Sequence, residues 1–525
     1  MTSRRQGRRL LTRLSAGLLF ALGAVVFAVA RAGGDAGRAV AAGAIGSKGH
    51  SRWDWPTYGH DAQHTFHGRT TLTKATIHSL RQAWSFPTGD AVTATPTVVA
   101  GTVYVGSWDG FFYAVDLRTG RLRWKFQVKP QPAVSPRPGQ QPRDSTSDGG
   151  LITSSAWFQK GHGRGADLVI FGGGYTLYAL NAQDGALVWH HDYTGRPDLP
   201  ADPTADGTRI FSSPVVVDDK VIVGIDPDRR GYRGYIVAAS LTTGDPIWEF
   251  QTDVDLSGNI LNDGCGGVWS SGTLLPRSGL VLFGTADCHF SNPPPFNETV
   301  IALRVRDGSL AWTFRPARPD SGCDTDFGAT VNAGLDHAGK AVFTGVGSKD
   351  GTYYSFNPNT GGLRWSTNVV FGGFAGGFIG TAAYDGRHIY GSTALGDFGR
   401  FESSGVVLCD PANPRDVPFQ DPSVHAFEAS SGKVVWEQKS AQSFAPTTVA
   451  GGMTFNGITL RDVVQVRDAA SGTLLIELPL AAPCWSGIAT VGDAVVVGTG
   501  ASHIGAPDGI VVFTPGAHPP IAPLS

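Results

Sequence analysis

The sequence predicts an all-β fold, an eight-bladed β-propeller whose ring is closed by strands from both ends of the chain. Two observations predict it: one turn motif recurs along the chain, and the composition suits short strands. Glycine accounts for 71 of 525 residues, twice the usual ~7%, and charged residues for 16%, below the usual ~25%. This balance is typical of short strands joined by tight turns. The net charge of −2 provides no global field that would attract nucleic acid.

The recurring motif is a glycine four residues before a large closing residue. The motif glycines are Gly120, Gly185, Gly244, Gly308, Gly361, Gly432 and Gly472. The closing residues are Trp124, Trp189, Trp248, Trp312, Trp365, Trp436 and Ile476. The spacing predicts a strand, a turn that needs positive φ at the glycine, and a second strand whose aromatic residue fills the space between neighbouring sheets. Two apolar runs precede each copy, so each repeat supplies four strands, A to D, of one blade.

The eighth blade is predicted to be divided between the two chain ends. Residues 482–500 and 509–513 supply strands A to C but have no motif after them. Trp84, in SLRQAWSF, stands where the missing outer strand is needed. Closure by both ends removes a free sheet edge. The alternative is seven blades with a loose tail.

The N-terminus is predicted to be an export signal. A basic start is followed by an uncharged, mostly apolar stretch, 14–30, and by a small-residue cleavage site at Ala30-Arg31-Ala32. We expect residues 1–32 to be a signal peptide, 33–50 a flexible leader and 51–525 the propeller, with no membrane span after cleavage. An uncleaved membrane anchor is the alternative. The interpretation places the mature protein outside the cytoplasm, secreted or in the cell envelope.

The longer connections are predicted to share one face of the propeller. Strands in a blade alternate in direction, so the D-to-A and B-to-C connections leave from the same face, which we name the long-loop face. The longer connections of this kind are 128–150, 194–208, 288–298, 371–380 and 394–424. Long loops on one face of a rigid scaffold usually form the binding site. All five cysteines also map there: Cys265, Cys288, Cys323, Cys409 and Cys484.

The richest set of polar residues on this face comes from blades three to five. It contains Asp226 and Asp228 after strand B of blade three, Trp269 at the start of strand A of blade four, Asp287 after the next strand B, Asp324 and Asp326 before strand A of blade five, and Lys349 after its strand B. Carboxylates from adjacent blades suggest a hard-cation site, because Ca²⁺ prefers oxygen ligands from flexible loops. The alternative is that each Asp only caps a turn.

The motifs resemble those of a known family. The repeat resembles the tryptophan-docking motif of quinoprotein dehydrogenases, which use pyrroloquinoline quinone. WPTYGHDAQHT, together with SLRQAWSF, resembles that family's N-terminal segment, and CDTDFGATVN resembles a stretch of its polyvinyl-alcohol-dehydrogenase-like branch. GGVWSSGTLLPRSGLVLFGTAD and VGSKDGTYYSFNPNTGGLRW look like its cofactor-floor and lysine segments. The resemblance spans roughly residues 53 to 515.

The resemblance implies a role for each matching residue. Trp269 would stack on the quinone and Lys349 would hydrogen-bond its oxygens. Asp324 would be the general base and a metal neighbour, with Asp326 as its companion. Asp287 stands where the family usually has an Asn ligand of Ca²⁺. The implied chemistry is alcohol oxidation with pyrroloquinoline quinone and Ca²⁺.

The sequence also departs from the family pattern. Many members have a Glu ligand after strand B of blade three, where this chain has Arg229 or Arg230, and an arginine there opposes a divalent cation. Asp226 or Asp228 could substitute, and we assign the metal to Asp287, Asp324 and Asp228. No C-x-x-C-H motif is present, so electrons would leave to a separate acceptor such as a cytochrome c.

The cysteines suit an exported protein, in which disulfides persist. An odd number leaves at least one unpaired or intermolecular. Cys265, Cys288 and Cys323 flank the candidate site, so a bridge among them is expected, with the pairing open.

Two functions from different classes remain open at this stage. The first is an exported dehydrogenase acting on a small or polymeric alcohol, with Trp269, Asp287, Asp324 and Lys349 in its favour. The second is a cofactor-free propeller that serves as a binding or assembly scaffold in the envelope, with Arg229 in its favour. Fold does not decide between them.

Overall fold

The structure is a computed structural model of the chain. It describes residues 50–129, 152–162, 165–193, 208–227, 233–261, 264–287, 295–317, 325–370, 372–373, 376–394, 422–500 and 509–521. The predicted signal peptide and nearly all of the predicted leader lie outside these ranges. Within them, no helix combines the length and the hydropathy that a membrane crossing needs.

The described residues form eight sheets, which confirms the all-β, eight-bladed prediction. The chain begins with β1 (Arg69–Thr70), a 3-10 helix (Ile77–Ser79) and β2 (Leu80–Pro87). Blade one consists of β3 (Thr97–Val99), β4 (Thr102–Gly106), β5 (Phe111–Asp116) and β6 (Leu122–Gln127). Blade two consists of β7 (Trp157–His162), β8 (Ala166–Gly173), β9 (Thr176–Asn181) and β10 (Leu187–Asp192). Blade three consists of β12 (Val215–Val217), β13 (Lys220–Pro227), β14 (Tyr235–Ser240) and β15 (Pro246–Gln251), with β11 (Thr208–Arg209) paired to β13.

Blades four to eight follow the same order. Blade four consists of β16 (Thr273–Leu275), β17 (Leu280–Gly284), β18 (Val300–Arg304) and β19 (Leu310–Phe314), and blade five of β20 (Asn332–Leu335), β21 (Ala341–Gly347), β22 (Thr352–Phe356) and β23 (Leu363–Asn368). Blade six consists of β24 (Ala383–Tyr384), β25 (His388–Ser392), β26 (Ser423–Glu428) and β27 (Val434–Lys439), and blade seven of β28 (Thr448–Ala450), β29 (Met453–Gly457), β30 (Val463–Asp468) and β31 (Leu474–Pro479). Blade eight consists of β32 (Ile488–Gly492), β33 (Ala494–Thr499), β34 (Gly509–Pro515) and β2.

Each closing tryptophan docks on the motif glycine of the next blade. The indole Nε1 of Trp124 donates to the carbonyl of Ala182 at 3.1 Å. Its ring lies so close to Gly185 that a Cβ there would be 2.6 Å from Trp124 Cε3, and Gly185 has φ +74°. Only glycine combines that space with that backbone conformation at little cost. The same two contacts recur at Trp84–Gly120, Trp189–Gly244, Trp248–Gly308, Trp312–Gly361, Trp365–Gly432 and Trp436–Gly472.

The split eighth blade explains why the last motif ends in Ile476 instead of tryptophan. In blade eight, β2 pairs antiparallel with β34, so the outer strand comes from the opposite end of the chain. No hairpin turn joins those two strands, and the glycine on which a tryptophan of blade seven would dock is therefore missing. Trp84 lies in β2 and docks on blade one, as predicted.

Residues 55–71 form an N-terminal segment that the sequence analysis did not place in space. Its backbone hydrogen-bonds to the inner strands of seven blades, through partners in the first, second and fourth to eighth blades: Val98, Phe158, Leu274, Ala333, Tyr384, Val449 and Gly492. These partners lie in or beside strand A and, in blade eight, at the end of β32. The long-loop face is where strand A begins, and the contacts with Tyr384 and Gly492 lie at the opposite end of their strands. The segment thus ties the blades together near the axis.

One buried histidine gives folding a predicted pH dependence. His425 in β26 is fully buried and stacks on Phe427, and burial lowers its pKa to about 3. The unfolded chain therefore binds a proton that the folded chain does not bind between pH 6.5 and about 3. The free energy of unfolding should fall as pH falls through this window, by up to about 1.4 kcal/mol per pH unit from this group.

We predict that His425→Gln flattens this dependence relative to the wild-type protein. Urea unfolding at several pH values between 4 and 7 measures it, and the difference between the two curves removes the contribution of the carboxylates. The matched control is His78→Gln, because His78 is exposed. Parallel curves for wild type and His425→Gln would contradict the prediction.

Candidate functional site

Three of the predicted site residues meet between blades four and five on the long-loop face. The Asp326 carboxylate accepts a hydrogen bond from Trp269 Nε1 at 3.1 Å and lies 3.1 Å from Lys349 Nζ. Lys349 Nζ also lies 5.1 Å from the centroid of the Trp269 ring. The three side chains therefore form one cluster with Asp326 at its centre.

Backbone contacts between the two blades hold Asp326 in place. The amide of Lys349 donates to the Asp326 carbonyl at 3.0 Å, and Ser348 Oγ reaches the same carbonyl at 3.2 Å. On the blade-four side, the amide of Phe327 donates to the carbonyl of Thr285 at 3.3 Å. The segment before β20 is therefore hydrogen-bonded on both sides, which fixes where the Asp326 backbone lies between the two blades.

The ion pair at the centre of the cluster is buried. Asp326 is 2% exposed and Lys349 8% exposed. Burying a carboxylate is costly unless it is paired and hydrogen-bonded. The Lys349 ammonium and the Trp269 indole N–H supply those partners, so the carboxylate is both paired and hydrogen-bonded beside an aromatic ring.

A glycine makes room for the indole. A Cβ on Gly328 would lie 1.8 Å from Trp269 Cη2, so no side chain fits at this position. Gly328 belongs to the Asp-Phe-Gly-Ala stretch quoted above, two residues after Asp326. The same short stretch therefore supplies the carboxylate and the space for the ring to which it bonds.

The structure corrects two placements made from the sequence. Trp269 was expected to open strand A of blade four, but β16 begins four residues later, at Thr273, so Trp269 lies in the preceding connection. Asp226 was expected to follow strand B of blade three, but β13 continues through Pro227 and pairs Asp226 with Arg209. The extra strand β11, which the sequence did not reveal, prolongs β13 and so changes the setting of Asp226.

The predicted metal ligands are only partly within the described residues. Asp287 is half-buried and lies three residues after β17, as expected. Asp228 and Asp324 lie outside the described residues, as do Arg229 and Arg230. The part of the chain that the structure describes contains no group of three or more acidic, histidine or cysteine side chains placed to hold a metal ion. The metal assignment stays a prediction.

Sequence reasoning missed one acidic residue beside the cluster. Glu298, just before β18, accepts a hydrogen bond through Oε1 from Thr325 Oγ1 at 2.6 Å. Thr325 directly precedes Asp326. Glu298 had appeared only as the end of a loop, and nothing in its immediate sequence indicates that it contacts the next blade.

The two described cysteines differ. Cys265, four residues before Trp269, is buried and disulfide-bonded, and its partner lies outside the described residues. Cys484 is free and buried, and burial raises the pKa of its thiol to about 12. It packs against Gly457 at the end of β29, where a Cβ would lie 2.4 Å from its sulfur. Cys484 is therefore a packing residue between blades.

The fold and the cluster together define a class of protein, an eight-bladed propeller with docked tryptophans and a buried charged site on one face. A family model described as "Glucose/ethanol/alcohol dehydrogenase, beta-propeller domain" matches residues 55–373, more than half of the chain. The chain belongs to this family, which confirms the resemblance inferred from the motifs.

Individual relatives agree with this assignment. A polyvinylalcohol dehydrogenase of a Pseudomonas species is 24% identical over 458 residues, which cover 74% of this chain and 67% of the relative. The quinoprotein alcohol dehydrogenase PedH of Pseudomonas putida is 23% identical, covering 81% of this chain and 74% of the relative. For the methanol dehydrogenase subunit 1 of Methylobacterium organophilum, identity is 26% and the match covers only 51% of this chain and 43% of the relative.

Solved structures show the same fold. A quinohemoprotein alcohol dehydrogenase from Comamonas testosteroni superposes with a TM-score of 0.67 at 19% identity, covering 91% of this chain and 82% of that one. A europium-containing methanol dehydrogenase gives 0.68 at 17% identity, covering 88% and 98%. BamB from Moraxella catarrhalis gives 0.53 at 15% identity, covering 83% and 99%. At these identities the likeness concerns the fold alone.

We predict that Gly328→Ala disturbs the cluster, because its methyl group would overlap the Trp269 ring. Overpacking of this kind costs about 1–3 kcal/mol. Guanidinium unfolding measures the loss, and near-UV circular dichroism reports the displaced indole. Gly362→Ala is the matched control, since its Cβ meets only Thr360 Oγ1, at 3.5 Å. Equal stabilities of the two variants would contradict the geometry.

Proposed function

We propose that the chain is an exported quinoprotein dehydrogenase that oxidises an alcohol with bound pyrroloquinoline quinone and a metal ion, and passes electrons to a separate acceptor. The observation that supports it most is the buried Asp326, bonded to both Lys349 and Trp269, in a member of this family. A carboxylate, a cation and an aromatic ring are the three groups that this chemistry needs from the protein.

The cluster suits a planar, anionic quinone. Trp269 is half-buried, so part of its indole is open, and the bond from its Nε1 to Asp326 fixes the orientation of the ring. Aromatic rings favour offset stacking with another planar system. Lys349 Nζ lies beside that ring as a hydrogen-bond donor for quinone oxygens. Trp269 and Lys349 are accordingly the residues that would hold the cofactor.

The described contacts support Asp326 as a general base, whereas Asp324 lies outside the described residues. The sequence interpretation gave that role to Asp324 with Asp326 as companion, but among described residues it is Asp326 that contacts the two cofactor-binding side chains. In the proposed reaction the Asp326 carboxylate takes the hydroxyl proton of the alcohol, and Lys349 balances its negative charge. When bound, the quinone supplies a two-electron oxidant for the alcohol carbon.

The proposed metal ion, alcohol substrate and electron acceptor are inferred from the sequence and from the names of relatives. We propose Ca²⁺ held by Asp287, Asp324 and Asp228. The europium-containing relative makes a trivalent lanthanide the second ion to test. A polyvinylalcohol dehydrogenase among the relatives supports a polymeric or secondary alcohol. The methanol dehydrogenase relative is named as a cytochrome c enzyme, which supports a cytochrome c as acceptor.

Reconstitution tests the proposal. We predict that the purified protein without residues 1–32 binds pyrroloquinoline quinone in a metal-dependent way and reduces a dye with an alcohol from a panel that includes polyvinyl alcohol. Asp326→Asn should lower kcat at least about a hundredfold, as loss of a general base does. Asp336→Asn, an exposed aspartate in the turn after β20, is the control.

The outcomes separate the two classes of function. Full activity of Asp326→Asn would overturn the assignment of the base. Absence of quinone binding both with Ca²⁺ and with a lanthanide would overturn the dehydrogenase proposal. The cofactor-free envelope scaffold would then remain, and it would bind a protein on this face.

A further inference from the structure

We infer that Glu298 is a positioning residue for Asp326 and acts through the hydroxyl of Thr325. This inference rests on the proposed function, because it concerns the carboxylate that the proposal makes the base. We name the hydrogen bond between Thr325 Oγ1 and Glu298 Oε1 the latch. It joins the end of the blade-four connection to the residue before Asp326.

The latch is short and largely shielded from water. Its length is 2.6 Å, and Thr325 is 7% exposed. Hydrogen bonds that end on a carboxylate are shorter and stronger than those between neutral groups. The hydroxyl is also the only polar group that the Thr325 side chain offers. The contact therefore fixes where Thr325 lies relative to blade four.

The backbone of Glu298 is strained into position for this contact. Its φ is +45°, and the other described non-glycine residues with positive φ lie in the N-terminal segment, in A-to-B turns or after β34. Strained residues of this kind persist only where their surroundings enforce them, and they cluster at functional sites. Glu298 N donates to the carbonyl of Ala286, the residue before Asp287, at 3.0 Å.

A clamp between two hydroxyl residues holds the strained segment. Thr285 N donates to Thr299 O at 3.0 Å, and Thr299 N donates to Thr285 Oγ1 at 3.0 Å. Blade six has the same clamp, since Thr393 N donates to Ser423 O and Ser423 N to Thr393 Oγ1, both at 3.0 Å. The residue before Ser423 is Pro422, however, where blade four has Glu298 before Thr299. Blades four and six share the clamp, and of these two blades only blade four has a carboxylate directly before it.

The latch completes the support of Asp326 from both blades. Ser348 Oγ of blade five donates to the Thr325 carbonyl at 2.9 Å, and Glu298 of blade four holds the Thr325 side chain. Trp269 and Lys349 contact the Asp326 carboxylate directly, whereas the latch acts on the residue before Asp326. Loss of the latch should therefore shift the Asp326 carboxylate relative to a bound alcohol and leave the affinity for the quinone largely unchanged.

The experiment measures turnover and quinone binding separately in the reconstituted, metal-loaded protein. We expect Thr325→Val and Glu298→Ala each to lower kcat about tenfold, because each variant removes a hydrogen bond to a charged group. The double variant should be no worse than either single variant. Thr325→Ser and Glu298→Gln should restore most of kcat, because a hydroxyl donor and an oxygen acceptor remain. The quinone dissociation constant, read from tryptophan fluorescence, should change less than about twofold.

The control is Thr393→Val, which breaks the corresponding clamp in blade six, away from the cluster. It should leave kcat and quinone binding unchanged. Equal loss of kcat in Glu298→Gln and Glu298→Ala would overturn the positioning role, because it would mean that the charge itself is needed. Additive effects in the double variant would overturn the latch as well.

A second measurement separates failure of the latch from failure of the proposed function. A double-mutant cycle of Thr325→Val and Glu298→Ala by urea unfolding needs no quinone. A coupling free energy of zero overturns the latch whatever the protein oxidises. A measurable coupling in a protein that binds no quinone would support the latch as a contact but overturn its role in positioning a base.

Discussion

The docking of a tryptophan on the glycine of the next blade is the contact on which the rest of this structure depends. A four-stranded sheet cannot bury its faces alone, and a ring of sheets is stable only if every interface is filled. Here a large indole fills the gap at every interface except that between blades seven and eight, and its N–H satisfies a carbonyl of the neighbouring turn, as Trp124 does with Ala182. Because the indole covers the α-carbon of the turn, no side chain can stand at Gly185. One contact thus fixes a tryptophan and a glycine at each interface where an indole docks.

Because this contact holds the blades together, the connections on the two faces of the propeller can differ in length. The A-to-B and C-to-D connections belong to the repeat and are short, whereas the connections on the long-loop face are free to vary. Asp326 and Lys349 enter from blade five and Trp269 from blade four, each just outside a strand. The scaffold supplies a fixed distance between neighbouring blades, and the cluster uses it to place a carboxylate between an ammonium and an indole.

The sequence predicted the ring well and the site in part, for a physical reason. The motif glycines are visible because the same steric demand recurs in each blade, and the split blade follows from Trp84 and from the missing last motif. Trp269, Asp326 and Lys349 were selected because topology brings loops of one face together. Glu298 could not be predicted, since its partner, Thr325, lies in the next blade. The path of residues 55–71 was equally hidden, because scattered backbone hydrogen bonds to seven blades leave no periodic pattern in the sequence.

The choice between enzyme and scaffold turns on what a buried ion pair contributes. Taking Asp326 and Lys349 out of water costs more than their attraction returns in many proteins, and hydrophobic residues of similar size often stabilise a fold better. A face that only binds a protein does not need such an ion pair beside an indole, Trp269, that packs against a glycine, Gly328. A catalyst does, because it must hold a carboxylate and a cation at fixed places in a site shielded from water before the substrate arrives. The cluster is therefore explained by chemistry at this position more readily than by stability, and this favours the dehydrogenase.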